Sequence, residues 1–184
     1  LTPGDRVTVE PTLPCWSCKQ CRAGRENLCE NLDFFGCGHP QGGMAELFTI
    51  PANRLHRVPD DLSDELVAGI NCAMTQVYAG LDIANAKLGE YVVIQGAGGL
   101  GLYAAAIARE RGAGKIIIID GVQERLDLAA EFGVDELIDM RELPSPEQRI
   151  QRVKELTGGW GGEVVVEVVG YPAVVEEGLK MVGS

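Results

Sequence analysis

Basic residues are scarce in this chain: 16 lysines and arginines stand against 27 aspartates and glutamates, a formal net charge of −11. Nucleic acids and anionic membrane surfaces both select for a basic face, so neither is expected as a partner. Long apolar runs are missing too. The longest are strand-length, well short of the ~20 residues that a membrane helix needs. The opening residues, Leu1-Thr2-Pro3-Gly4-Asp5-Arg6, carry no basic n-region and no apolar h-region, so no signal peptide is expected there. A reducing, cytoplasmic setting is the expectation that follows. Internal repeats and low-complexity segments are also lacking. There are only 2 histidines, and both His39 and His56 fall in turn-rich or loop-like stretches that suit a structural role. What is present is ordinary for a soluble globular protein: 46% hydrophobic and 23% charged residues. A length of 184 residues allows one good core, or one complete domain with part of another.

Against this plain background the cysteines are concentrated. Cys15, Cys18, Cys21 and Cys29 are separated by two, two and seven residues, a spacing that lets four thiolates converge on one tetrahedral ion. A site with four protein ligands has no open position for substrate, so it should staple a loop. Pro11, Pro14 and Gly24 fit an irregular lobe around it. Disulfides are the competing reading, disfavoured because nothing else suggests secretion. An iron–sulfur cluster is another, although the bacterial ferredoxin run closes with x3 and Cys-Pro, whereas here Glu30 follows Cys29. Structural zinc is favoured. Cys37 reads as a loop thiol, and Phe34-Phe35 as local packing.

The pattern changes along the chain. Up to about residue 62 it suggests short strands and loops, with alternation over Arg6–Glu10 and again over Ala45–Ile50. Ser63 is a candidate N-cap, with Asp64 and Glu65 in the first turn of a helix. From Tyr91 a regular β–α alternation begins. Strands are expected at 91–95, 116–119, 137–138 and 164–169. The helices between them carry Leu100, Ala104, Ile107 and Ala108, then Val122, Leu126, Ala129 and Ala130 on one face. A Ser145-Pro146-Glu147-Gln148 capping box opens a helix to about Leu156, and a last helix runs from about Pro172 toward Met181. Repeated units of this kind imply a parallel sheet covered by helices on both faces.

Gly96-Ala97-Gly98-Gly99-Leu100-Gly101 is a G-x-G-x-x-G that follows a buried strand and opens an amphipathic helix. Asp120 lies 19 residues beyond Gly101, close to the ~20 expected for the acid that binds a ribose. Gly96 serves the tight turn, Gly98 the approach to a pyrophosphate, and Gly101 the packing of helix on strand. The helix N-terminus then faces the diphosphate. A carboxylate at Asp120 suits the ribose hydroxyls of NAD and repels the 2′-phosphate of NADP. Gly121 beside it provides no arginine for that phosphate. Capping of the following helix is the structural alternative for Asp120.

Together these motifs resemble the zinc-containing medium-chain alcohol dehydrogenase family. The resemblance runs over essentially the whole chain, through Pro3-Gly4-Asp5-Arg6-Val7, the segment Pro14–Cys29, Gly42-Gly43-Met44-Ala45-Glu46 and the dinucleotide fingerprint. It implies an α/β fold: residues 1–62 as part of a GroES-like catalytic domain with the zinc lobe, and residues 63–184 as a connecting helix and a Rossmann NAD-binding domain lacking its last strands. It also implies that Arg125 contacts the adenosine ribose. Asn71-Cys72-Ala73 stands where the family carries its third catalytic zinc ligand, so Cys72 is a candidate ligand, with a small packed residue as the alternative. Trp16 replaces a usual glycine, and Gln76 stands where many members have threonine.

The implied function is hydride transfer between an alcohol or polyol and NAD, with zinc assisting and an aldehyde or ketone as the other substrate. The implied assembly is a homodimer or homotetramer. Two further catalytic zinc ligands of the family would precede Leu1, so the chain is expected to be the central part of a dehydrogenase about twice as long and inactive alone. The competing readings are a non-catalytic zinc-stapled nucleotide-binding module and a quinone-reductase-like member of the superfamily.

Overall fold

The computed structural model describes residues 1–183. Two compact units divide the chain after Cys72, and each is built on its own logic.

The first unit is made of short pieces. Strand β1 (Val7–Val9) is followed by β2 (Thr12–Leu13), helix α1 (Lys19–Arg22), β3 (Asp33–Phe34) and β4 (Leu55–Arg57). β1 pairs antiparallel with β4, Thr8 opposite His56, and β2 pairs with β3, Thr12 opposite Phe34. His56 therefore sits on a strand rather than in the loop expected for it. The strand expected at Ala45–Ile50 does not form. Those residues are largely exposed irregular backbone, and the Thr49 amide donates to the Gln41 side-chain carbonyl at 2.7 Å. Alternation marks a face that could be buried, but a strand also needs a neighbour to complete its ladder. Ser63 caps α2 (Asp64–Val67) as expected, its hydroxyl accepting from the Leu66 amide at 3.4 Å.

The second unit begins with α3 (Thr75–Ile83). It continues through β5 (Tyr91–Gln95), α4 (Gly99–Glu110), β6 (Lys115–Asp120), α5 (Gln123–Ala129), β7 (Glu136–Asp139), α6 (Pro146–Leu156), β8 (Val164–Glu167) and α7 (Pro172–Met181). The four strands form one parallel sheet in the order β7-β6-β5-β8. Strand geometry sends alternate side chains to opposite faces. Val92, Ile94, Ile116 and Ile118 pack with Ala104, Ala105 and Ala108 of α4 and with Val77 and Leu81 of α3. Val93, Ile117, Ile119 and Ile138 pack on the other side with Val153 of α6 and Met181 of α7. Both faces are apolar, which is why β5 and β6 read as unbroken hydrophobic runs.

The helix ends follow their local chemistry. Ser145 and Gln148 form both halves of the capping box at the start of α6. After α5 the chain tightens into a 3-10 turn and stops at Gly133, whose φ of 78° lies in the left-handed region. The last strand is shorter than its apolar run: Val168 and Val169 have left β8 to shape the loop beyond it.

Candidate metal and dinucleotide sites

The Cys15, Cys18, Cys21 and Cys29 sulfurs all lie within 4.8 Å of one another, and none is in a disulfide. A tetrahedral site with metal–sulfur bonds of about 2.3 Å needs sulfur–sulfur edges of about 3.8 Å. The donor set fits one closed zinc site. Backbone amides already point at the sulfurs: Cys15 donates to Cys29 Sγ at 3.2 Å, Cys18 to Cys15 Sγ at 3.4 Å, and Asn31 to Cys29 Sγ at 3.3 Å. Hydrogen bonds of this kind favour the thiolate. The Ser17 hydroxyl and amide pull the Cys15 thiol down to about 5, and the Cys21 amide lowers Cys18. Desolvation, with neighbouring thiols, pushes Cys21 up to about 12. Crowded sulfurs cannot all ionise beside one another unless a cation joins them, and a bound dication deprotonates its thiol ligands.

Trp16, inside this lobe, has φ of 61°. A left-handed conformation costs a non-glycine residue about 1–2 kcal/mol, so the position favours the glycine usual in the family.

The glycine loop expected to cradle a dinucleotide sits at the carboxyl end of β5. Gly96 has φ of 105°, and a Cβ there would lie 3.0 Å from Val169 Cγ2. A Cβ on Gly101 would fall 1.9 Å from the Gly96 carbonyl oxygen, so helix α4 can approach the loop only through glycine. Gly98 and Gly99 are different: a Cβ on either meets nothing within 4 Å. That open backbone, at the N-terminus of the 12-residue helix α4, fits a diphosphate. Leu100 follows in the first turn of α4 and is partly buried against the core.

Asp120 ends β6 and is only 7% exposed. Its Oδ2 accepts from the Ala97 amide at 2.7 Å and its Oδ1 from the Val122 amide at 2.9 Å. Each carboxylate oxygen retains a further lone pair for a ribose hydroxyl. Arg125 Nη1 lies 3.7 Å from Asp120 Oδ2, which gathers the two expected adenosine-side residues at one place.

A cleft of about 480 Å³ opens beside the cradle, lined by Gln76, Leu100, Glu167, Val169 and Gly170 among others. It lies where the strand order reverses between β5 and β8, the usual place for a ligand in an open α/β sheet. The loop after β8 was not singled out in the sequence. Glu167 organises it by accepting from the Val169 and Gly170 amides at 2.6 and 2.7 Å. The acid followed two residues later by a valine and then glycine was the available signal.

Cys72 is exposed and lies in a π-helical turn, Ile70–Met74. Such turns often mark functional positions. The neighbouring Asn71 is anchored, its Nδ2 donating to Thr8 Oγ1 at 2.6 Å and to the Val9 carbonyl. Among the described residues Cys72 joins no cluster of three or more metal-ligating side chains.

Residues 1–60 match the family described as alcohol dehydrogenase GroES-like domain, and residues 99–184 that described as zinc-binding dehydrogenase. L-threonine 3-dehydrogenase of Idiomarina loihiensis is 37% identical over 177 residues, 96% of this chain and 50% of that protein. Sorbitol dehydrogenase of Bombyx mori is 34% identical over 171 residues, 93% of this chain and 49% of that protein. The solved alcohol dehydrogenase TADH from Thermus sp. ATN1 superposes with a TM-score of 0.90 at 34% identity, covering 100% of this chain and 54% of that one. The chain spans about half the length of the curated relatives it matches. With both halves matched in order and the four-sulfur lobe and glycine cradle in place, the chain belongs to the zinc-containing medium-chain alcohol dehydrogenase family.

Proposed function

We propose that this chain supplies the cofactor-binding and zinc-lobe portions of an NAD-dependent zinc dehydrogenase acting on an alcohol or polyol. The observation that carries the reading is the Gly96–Gly101 cradle: open backbone at Gly98 and Gly99, with the Asp120 carboxylate bonded to the adjoining Ala97 amide. The overall reaction removes a hydride from the carbinol carbon to the nicotinamide and a proton from the hydroxyl, leaving an aldehyde or ketone and NADH.

The residues divide the work. The α4 N-terminus and the Gly98 and Gly99 backbone hold the diphosphate. Asp120 accepts the ribose hydroxyls and Arg125 flanks them. The cleft lined by Leu100, Val169 and Gly170 receives the rest of the dinucleotide. Cys15, Cys18, Cys21 and Cys29 would hold a structural zinc, and Cys72 would be one ligand of a second, catalytic zinc whose other ligands the described residues do not gather around it. That second ion would supply a Lewis acid for the substrate oxygen. The relatives named for threonine and sorbitol support a hydroxyl-bearing small molecule as substrate. Assembly as a homodimer or homotetramer and a cytoplasmic location belong to the same reading. Among the described residues no helix is long and apolar enough to cross a membrane.

Calorimetry with NAD and NADP tests the proposal. NAD should bind more tightly by at least about tenfold, or about 1.4 kcal/mol. Absence of NAD binding by the zinc-loaded chain would overturn the reading. NAD binding by the whole protein without turnover of any alcohol or polyol in a panel would leave a nucleotide-binding module instead.

A further inference from the structure

Arg54 is the most deeply buried charged side chain near the cysteine lobe, and none of the four sulfurs is its partner. It ends the 3-10 turn Ala52–Arg54 just before β4, and is 5% exposed. Its guanidinium is shared three ways. Nη1 lies 3.2 Å from Glu10 Oε1, Nη2 lies 3.0 Å from Glu26 Oε2, and Cζ stands 4.5 Å from the centroid of the Trp16 ring. Nε is buried without a hydrogen-bond partner among the described residues. Burial of an arginine with one donor unmet is costly, so its remaining contacts have to offset the loss.

Where those contacts land is what matters. Trp16 directly follows Cys15. Glu26 opens the 3-10 turn Glu26–Leu28 that leads into Cys29. Glu10 precedes β2, at the stem of the lobe, and accepts from the Thr12 hydroxyl. One planar fork therefore grips the segments that carry the first and last ligands, and ties both to the stem. The grip also explains Trp16 itself: the ring under the guanidinium offsets the left-handed backbone at that residue.

We propose that Arg54 is the positioning residue of the metal lobe, holding the Cys15 and Cys29 segments at closing distance for one ion. The inference rests on the reading of the four cysteines as a zinc site. An arginine suits the task better than a lysine, because its fork serves two carboxylates and a ring at once.

The test uses the zinc-loaded 184-residue chain, with zinc release followed in a chromophoric chelator. Arg54→Ala should weaken zinc affinity about tenfold, the low end of the range for direct partners of metal ligands, because Arg54 acts one contact further out. Arg54→Lys should recover part of the loss, and Trp16→Leu, which keeps the left-handed backbone cost and removes only the ring, should fall between. Cobalt substituted for zinc should keep its four-thiolate absorption in every variant, since no ligand has changed. NAD affinity should also stay the same, because the cradle belongs to the other unit. If Arg54→Ala does not fold, Arg54→Lys and Trp16→Leu decide. Zinc affinities of both within about twofold of the parent would overturn the proposal. Zinc binding absent from the parent chain would instead overturn the metal reading of the lobe, and this inference with it.

Discussion

The Asp120 carboxylate accepts a 2.7 Å hydrogen bond from the Ala97 amide, which joins the end of β6 to the Gly96–Gly101 turn. The acid proposed to select the ribose thus also holds the second residue of the glycine loop. One side chain therefore ties the end of β6 to the glycine loop after β5.

Cofactor preference should follow that side chain. Gly121 has room for a larger residue, since a Cβ there would lie 3.7 Å from Met140 Cβ, an ordinary contact. Asp120→Ser with Gly121→Arg should move preference toward NADP by at least about tenfold, or about 1.4 kcal/mol. The check is the ratio of NAD to NADP dissociation constants in the chain, or of kcat/KM values in the whole protein. An unchanged ratio would remove Asp120 from the specificity role.

Two glycines of the fingerprint should fail in opposite ways. Gly101→Ala drives a methyl against the Gly96 carbonyl and should cost about 1–3 kcal/mol of stability, toward the upper end because backbone is struck. Gly98→Ala meets open space, so its melting temperature should remain close to the parent's while NAD binding falls. Thermal melts paired with NAD titration separate the two. A Gly98→Ala protein that binds NAD normally would place the diphosphate elsewhere.

Arg149 on α6 and Glu177 on α7 form a two-pronged ion pair with both bonds at 2.7 Å, and both residues are buried. Arg149 also donates to the Leu143 and Pro144 carbonyls at 2.9 Å. Glu177→Gln leaves a buried guanidinium without its counter-charge and should cost about 3–5 kcal/mol in urea unfolding. Replacing the pair by Arg149→Met with Glu177→Leu should cost much less, since no charge is stranded.

Acid stability should carry the imprint of Asp139, at the end of β7. Side-chain hydrogen bonds from Arg141 hold its carboxyl below the usual 3.8, with the Arg141 amide assisting. A carboxyl depressed in the folded state stabilises above its unfolded value and loses that contribution as pH falls through the folded one. The difference in melting temperature between the parent and Asp139→Asn should therefore be constant from neutral pH down to about 5 and shrink below 4. A difference that widened in acid would contradict the assignment.

The second unit was legible because its signals are local. Strands buried on both faces write continuous apolar runs, glycine marks the loop and the helix stop at Gly133, and Ser145 with Gln148 announces the start of α6. The four cysteines were legible for the same reason, their close spacing marking them as one cluster before folding sets the sulfurs within 4.8 Å of one another. The misreading at Ala45–Ile50 had the opposite cause. Its alternation matched a strand, but ladder formation depends on a neighbour that no local pattern specifies. β4 was missed from the other side: Leu55–Arg57 has little strand character and forms because β1 pairs with it.

The order of residues by itself determined the chemistry this protein can carry: thiols spaced for a metal, a glycine turn and an acid spaced for a dinucleotide. Tertiary structure alone decided what steadies that chemistry. Arg54 lies 25 residues beyond Cys29 in an unremarkable turn, and only folding brings its charge against Trp16 and Glu26. Contacts of this kind depend on three-dimensional distance, which short-range sequence periodicity does not encode.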